Sequence, residues 1–497
     1  MDARHAIDQN ASPMFLRSPT PASGRTHAQR LRHLVFAGLA LSGLAGAPAS
    51  AETLFTIPGN AGGSDIDIFL TSGVATTATI TNADGSFNTT VPIPANGTAI
   101  VTIPDSGRIG PLGTASVNGY SIDAPDPFAA YLMDANVPVA SNDITNLFPD
   151  TSLGTNYLVM AATSSLVLDG SQIAVVAGTN GTTVTITPSA PLTTGQPAGV
   201  PFDVMLNRLE AIEFRASGTG DLTGTTISST QPVAAFGGHW CANVPDDVVA
   251  CDHVIEQLPA TSDFGTQFVL VPTEQPGPGD VVKILARDDG TVVTFQDSGG
   301  TTVQPTLNAG EFLTLPPQLV ENTRLTSNHP ILLGQFMLGA GLAGEGDPAF
   351  ALVPPQDQWL DRYIFNVPAG DYNDFLGIAI ENAALASLKL DGVAVNPASF
   401  FSVPGTTLMA GNISVGDGSH VIEANGDFML LGHGFNSNFA SYFGVGGSSI
   451  SGGGVTPPPP PPPSTDTPVP TLSPWALAVL GGMIGLLAAT RLRRRAS

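Results

Sequence analysis

Basic residues are scarce in this chain of 497 residues, which has 17 Lys and Arg against 41 Asp and Glu and a net charge of −24. Only eight of the basic residues, but 39 of the acidic ones, lie between Glu52 and Thr490. Nucleic acids and anionic membrane surfaces attract clusters of Lys and Arg. The acidic excess therefore argues against nucleic acid as a partner and is typical of a protein that stays soluble outside the cell.

The chain also lacks the short motifs of common enzymes. It has no Gly-x-Ser-x-Gly turn, no His-Glu-x-x-His pair and no glycine-rich phosphate loop. None of its eight histidines stands in a recognisable Ser/His/Asp arrangement. We therefore expect a protein that is not an enzyme, and an extracellular hydrolase is the remote alternative.

Helical periodicity is almost absent, and short alternating runs of Thr, Val, Ile and Phe take its place. Val184 and Ile186 share one face of such a run, and Thr183 and Thr185 share the other. Apolar residues at every second position are typical of a half-buried β-strand. The sequence therefore predicts an all-β fold.

One strand pattern recurs four times, at Val137–Ala140, Gln231–Gly237, His329–Phe336 and Asp427–Phe435. Equivalent positions are 94, 98 and 98 residues apart. A repeat of about this length matches one β-sandwich and exceeds a single propeller blade. We predict about four tandem β-sandwich-like repeats, each with its own core, and a β-propeller is the alternative.

Upstream of each copy, two strand patterns joined by turn residues such as Asn180-Gly181 predict a hairpin. The four predicted hairpins span Ile66–Ile80, Ile173–Ile186, Val281–Phe295 and Ile378–Leu390. From these patterns we place the repeats at residues 52–150, 151–259, 260–355 and 356–447.

The beginning of the chain has the pattern of a secretory signal peptide. Three arginines precede an apolar stretch that ends in Ala49-Ser50-Ala51, a small-residue cleavage site. We predict a signal peptide over residues 1–51 with a long n-region, and a translation start at Met14 is the alternative.

The end of the chain predicts a linker and a membrane-spanning tail. Residues 448–468 form a Gly/Ser spacer and a Pro-rich stalk that contains seven consecutive prolines, and an apolar run with a basic end follows at 469–497. The 19 residues from Leu472 to Thr490 are long enough for one transmembrane helix. Near its start the tail has the run Pro470, Thr471, Leu472, Ser473, Pro474 and Trp475.

This tail resembles the IPTL-CTERM sorting signal of Gram-negative bacteria. The resemblance implies a protein that is secreted to the cell surface, is anchored transiently in the inner membrane by the tail, and is processed by an exosortase-type enzyme.

The chain has two cysteines, Cys241 and Cys251. An even pair at short spacing in an exported chain predicts one disulfide. The surrounding runs Pro232–His239, Cys241–Pro245 and Ala250–Pro259 resemble the N-terminal domain of IgG-Fc-binding proteins, and the likeness extends over about 157–395. The resemblance implies an extracellular binding or adhesion module.

We predict that the disulfide-closed loop is the contact surface, because rigid β-folds usually bind through their loops. The candidate binding residues are His239, Trp240, Asn243, Asp246, Asp247, Asp252 and His253. The partner is an unknown extracellular protein or glycan. A structural component of an extracellular polysaccharide matrix is the alternative.

The histidines and aspartates of this segment do not have the spacing of a known zinc or EF-hand site, so we expect no metal and no cofactor there. His239 and His253 are better explained by packing across the loop. Calcium at Glu345 and Asp347 is a secondary option, after a solvated loop.

Overall fold

The computed structural model describes residues 51–134 and 141–450. The predicted signal peptide, except Ala51, lies outside the described residues, as do almost all of the linker and the whole sorting signal with its predicted transmembrane helix. Within the described part of the chain, no helix is both long and apolar enough to cross a membrane.

Thirty β-strands account for most of the described residues, which confirms the predicted all-β class. Module 1 contains β1 (Ala51–Thr56), β2 (Ile66–Ser72), β3 (Thr76–Asn82), β4 (Asn88–Ile93), β5 (Gly97–Ile103), β6 (Gly119–Ala124), β7 (Ala129–Asp134) and β8 (Ile144–Leu147). Module 2 contains β9 (Gly154–Leu158), β10 (Ser171–Ala177), β11 (Thr182–Thr187), β12 (Phe202–Leu206), β13 (Ala211–Arg215), β14 (Thr226–Asn243) and β15 (Cys251–Gln257).

The second half of the body repeats this arrangement. Module 3 contains β16 (Gly265–Leu270), β17 (Asp280–Ala286), β18 (Val293–Asp297), β19 (Gly300–Val303), β20 (Phe312–Leu319), β21 (Thr323–Phe336) and β22 (Phe350–Leu352). Module 4 contains β23 (Leu360–Val367), β24 (Asn373–Glu381), β25 (Lys389–Leu390), β26 (Val393–Ala394), β27 (Phe401–Ser402), β28 (Leu408–Ser414), β29 (Gly418–Phe435) and β30 (Ser441–Val445).

Helices are short in the described chain. The two α-helices are α1 (Ala340–Ala343) and α2 (Asn382–Leu385). The 3-10 turns are Asp105–Gly107, Asp150–Ser152, Thr261–Asp263, Gln356–Gln358 and Pro397–Ser399. We propose the connections after β8, β15 and β22 as module borders, and the predicted repeat borders fall in the same connections.

One long strand organises each of modules 2 to 4. In module 2 the 18-residue β14 pairs with β9, β10, β11 and β15, all antiparallel. β21 and β29 have the same role in modules 3 and 4. In module 1 the equivalent strand is divided into β6 and β7, which belong to two separate four-stranded sheets. Pro125 and Pro127 lie at this division. Proline has no backbone N–H, so neither residue can donate a hydrogen bond to a neighbouring strand, and the strand is interrupted there.

The predicted hairpins are wrong in their pairing. Both strands exist in each case, but β10 and β11 pair with the two halves of β14 instead of with each other. β14 is long enough to pair with both strands along its length. The turn at Asn180-Gly181 therefore connects β10 and β11 within one sheet, although the two strands are not hydrogen-bonded to each other.

The first copy of the repeated strand is also misplaced by the sequence pattern. The strand that pairs with β2, as β14 pairs with β10, is β7 at Ala129–Asp134. The predicted copy at Val137–Ala140 lies outside the described residues. Short Pro-Val-Ala patterns match by chance more easily than long ones, which explains the shift.

Each hydrophobic core is built mainly from one module and completed by residues of a neighbouring module, so the predicted core of each repeat is present but is not self-contained. β10 shows the cause: Ile173 and Val175 face the core between modules 2 and 3, whereas Ala174 and Val176 face the core between modules 1 and 2. A third core joins modules 3 and 4, and a fourth joins module 4 to module 1, for example through Tyr131. The four modules therefore close into a ring, the feature that the propeller alternative requires.

The inner strands β8, β15, β22 and β30 contact one another in turn around the centre of this ring. Buried polar groups join them. Glu256 accepts hydrogen bonds from the Thr145 hydroxyl at 2.7 Å and the Leu352 N–H at 3.1 Å, which links module 2 to modules 1 and 3. Asp143 accepts the N–H of Ile255 at 3.1 Å and of Phe443 at 3.4 Å. We call these two carboxyl groups with their partners the hub.

Candidate functional site

The predicted disulfide is present between Cys241, near the end of β14, and Cys251, the first residue of β15. Their Cα atoms are 5.0 Å apart, and Cys251 pairs with Asn243 across a bulged ladder. The bond therefore closes the base of residues 244–250, which we call the stapled loop.

Three candidate residues at the base of the loop have structural partners. His239 is buried, its Nδ1 accepts the Cys241 N–H at 3.0 Å, and burial lowers its pKa to about 3, so the ring is neutral. The Arg215 guanidinium lies 4.4 Å from the ring centre of half-buried Trp240. Asn243 is buried, and its Nδ2 donates to the Val248 carbonyl at 2.6 Å. These groups shape the stapled loop from beneath.

Asp252 and His253 are fully buried. The His253 ring contacts the Asp134 carboxylate through Nδ1 and the Gln172 amide through Nε2, the latter at 3.0 Å. Burial and the nearby Asp347 carboxyl hold the pKa of Asp252 well above its usual range. Neither residue reaches solvent, so both are parts of the interior.

Asp246 and Asp247 are the exposed members of the predicted set. Val249, which the sequence analysis did not select, is 72 % exposed beside them. The Ser165 N–H donates to the Asp246 carbonyl at 2.9 Å, and the Gly341 N–H donates to the Val249 carbonyl at 3.1 Å. The stapled loop is therefore held between the loop at residues 163–169 and the segment 339–344, which contains helix α1.

These three segments carry a concentration of exposed apolar side chains. Leu166 and Leu168 are 51 % and 57 % exposed, and Leu342 is 41 % exposed, in addition to Val249. Large apolar residues that cluster at a rigid surface mark interaction sites more often than isolated ones do. We call the three segments together the stapled-loop face. Sequence reasoning missed the leucines because single apolar residues outside the strands have no periodic pattern.

A cleft of about 520 Å³ opens beside the stapled loop, between modules 2 and 3. One wall comes from Pro245, Asp246 and the segment with Asp221, and the other from β17 and β20 with Lys283 and Phe312. The Lys283 ammonium donates to Asp221 at 2.7 Å and to the Ala161 carbonyl at 2.8 Å, and it lies 4.6 Å from the Phe312 ring centre. Its charge is thus satisfied within the protein, and the remaining cleft surface is mainly apolar.

Metal binding has little support in the described residues, where no three His, Cys, Asp or Glu side chains are arranged to hold an ion. Asp347 is buried, and burial raises its pKa to about 8. Its N–H donates to the Ser441 hydroxyl at 2.8 Å. Glu345 is half-buried two residues earlier.

Comparison with known proteins confirms both resemblances. Residues 143–434, from the end of module 1 to the last residues of β29, match the IgGFc binding protein family. Residues 467–494, outside the described part, match the IPTL-CTERM motif. No solved structure matches the chain.

The human IgGFc-binding protein is 28 % identical over 315 residues, which are 62 % of this chain and 6 % of that protein. The chain thus corresponds to a small part of this relative's length. The two matches together suggest an exported surface binding protein. Because the family match covers more than half of the sequence, the chain belongs to the IgGFc binding protein family.

Proposed function

We propose that this protein is a secreted adhesion or binding module of a Gram-negative cell surface, and that the stapled-loop face contacts an extracellular protein. The observation that carries the proposal is the exposure of Leu166, Leu168, Val249 and Leu342 on adjoining surface segments that a disulfide and main-chain hydrogen bonds hold in place. A preorganised loop loses little conformational entropy on binding. The family match supports a protein as the partner.

Immunoglobulin Fc is the first probe, because the human relative is named for it. Val249→Asp places a charge at the centre of the proposed contact and is compared with Val393→Asp, in module 4. Val249 and Val393 are 72 % and 70 % exposed, so the two substitutions are matched in chemistry and exposure. We expect wild type and Val393→Asp to bind immobilised human IgG Fc equally, and Val249→Asp to bind at least about tenfold more weakly.

No binding of Fc by the wild-type protein would contradict immunoglobulin recognition. In that case the same variants are compared in attachment of the producing cells to a surface coated with their own polysaccharide matrix. Equal attachment of both variants would favour the structural matrix role over a specific contact at this face.

Export and sorting are the second part of the proposal. A signal peptide at 1–51, transient inner-membrane anchoring by the tail and cleavage by an exosortase-type enzyme predict a mature surface protein that starts near Glu52 and ends between Val469 and Leu472. Mass spectrometry of protein released from the cell surface checks both ends. Surface protein that still contains Arg493–Arg495 would show a permanent membrane anchor instead.

A further inference from the structure

The outer edge of β13 is covered by a segment of module 1. Ser116 and Ala211 exchange two main-chain hydrogen bonds, at 2.8 and 2.9 Å, and the Gly113 N–H donates to the Glu213 carbonyl at 2.8 Å. Residues 113–116 therefore add to the sheet of module 2 as an extra extended segment. This contact seals the junction between modules 1 and 2.

The strand in the same place in module 3 is β20, and the register between the two is fixed by a shared turn. The Asn207 N–H donates to Glu210 and the Asn308 N–H donates to Glu311, both at 2.7 Å. Ala177 then bonds to Glu210 as Ala286 bonds to Glu311. Phe312 and Thr314 are consequently the counterparts of Ala211 and Glu213, the residues whose main chain faces outward.

No segment of the described chain pairs with the outer edge of β20, which ends its sheet. The module 2 segment that would cover it contains Asp221, which is held by Lys283 at 2.7 Å and by the Thr223 hydroxyl at 2.6 Å. The cleft of about 520 Å³ lies between this segment and Phe312–Thr314. The same junction is thus sealed between modules 1 and 2 and open between modules 2 and 3.

We propose that an extended segment of a partner polypeptide binds in this cleft by adding to the outer edge of β20 at Phe312–Thr314, as residues 113–116 add to β13. Strand addition of this kind takes affinity from main-chain hydrogen bonds and selectivity from side-chain pockets. The site rests on the proposed binding function and extends it, since Pro245 and Asp246 of the stapled loop line the same cleft.

The lining defines the chemistry of the guest. Val281, Leu315 and Phe336 give the cleft an apolar floor, and the Lys283 charge is already neutralised by Asp221. Pro316 and Pro317 have no N–H, so the usable edge is short and ends at Leu315. The site therefore suits three or four extended residues with an apolar side chain directed into the cleft.

The free protein provides the first test, by amide hydrogen exchange of the full chain. The amides of Phe312 and Thr314 should exchange much faster than that of Ala211, which is hydrogen-bonded to Ser116. Protection of all three amides to the same degree would overturn the proposal, because the edge of β20 would then be occupied within the protein.

The second test uses a displayed library of random seven-residue peptides, selected against wild-type protein. Thr314→Pro removes the outward N–H at an exposed edge position, whereas Thr314→Val keeps it. Selected peptides should be rich in apolar residues, protect the Phe312 and Thr314 amides, and bind Thr314→Pro at least about tenfold more weakly than Thr314→Val. Failure to select any peptide, or equal binding to both variants, would overturn the proposal.

This result is separable from that for the stapled-loop face. If Val249→Asp loses Fc binding and Thr314→Pro does not, and no selected peptide responds to Thr314→Pro, the face is supported and the β20 site is wrong. If peptides depend on the Thr314 N–H while Val249→Asp has no effect on any probe, the β20 site stands and the contact role of Val249 is wrong.

Discussion

The two ends of β15 differ in their surroundings, one in the proposed contact surface and the other in the buried hub. At one end Cys251 closes the stapled loop, whose tip exposes Val249 and two aspartates. Near the other end Glu256 is buried in the hub and hydrogen-bonded to modules 1 and 3. Changes at the hub should therefore affect folding of the whole ring, whereas changes at the loop should affect contact with a partner.

The largest effect is expected when one module is isolated, because it then loses both the hub and the core residues that its neighbours contribute. Residues 260–355 contribute to a core with module 2 and to another with module 4. Alone, the fragment would expose both apolar faces, so we expect no cooperative thermal transition by circular dichroism, in contrast to residues 51–450. A sharp transition in the fragment would show that one module can bury a sufficient core.

Glu256→Ala is expected to have the largest effect of a single substitution at the hub. It leaves the Thr145 hydroxyl and the Leu352 N–H without their partner in a buried site, which should cost about 2–4 kcal/mol of unfolding free energy. Burial also raises the pKa of Glu256 well above its usual range, which favours the neutral carboxyl group, and Glu256→Gln is the neutral substitute of similar shape. Denaturant titration should rank the Gln variant close to wild type. Equal losses for both would indicate that packing volume, and not hydrogen bonding, matters there.

Removal of the disulfide tests the other end of β15, where the stapled loop is closed. Replacing Cys241 and Cys251 with Ser releases a loop with a sequence separation of 10, which should lower the free energy of unfolding by about 2–3 kcal/mol in the chain-entropy account. Calorimetry measures the change, and Fc binding of the same variant reports on the face. A variant that melts earlier but binds as well as wild type would show that the stapled loop is structural and would move the contact surface elsewhere.

The sequence predicted those features that depend on neighbouring residues. Alternation such as Val184 and Ile186 gave the β-class, and the isolated cysteine pair gave the disulfide. The ring could not be predicted in the same way, because the faces of β10 contact modules that are distant in sequence. The residue pattern of a single strand shows that both of its faces are apolar, but it does not show which module covers each face.

The site shows the same division. Exposed aspartates in the stapled loop were predicted as contact residues, but the hub carboxyl groups were overlooked because acidic residues beside apolar ones usually lie at a surface. The cleft depends on Lys283 and Asp221, which are 62 residues apart. Their pairing has no local signal, and the open edge of β20 becomes visible only by comparison with β13.

The smallest expected effect is on the pH dependence of stability, and it arises from a buried carboxyl group. Burial raises the pKa of Asp347 from 3.8 to about 8, so the folded protein keeps a proton that the unfolded chain releases above about pH 4. The folded state therefore binds more protons over this range, so its stability falls as the pH rises from about 4 to about 8 and levels off at higher pH. Asp347→Asn cannot titrate, so between pH 7 and 8 it should lose about 1 kcal/mol less than wild type in parallel denaturant titrations. Identical slopes for the two proteins would mean that the Asp347 carboxyl is already ionised in the folded state and that Asp252 beside it carries the proton instead.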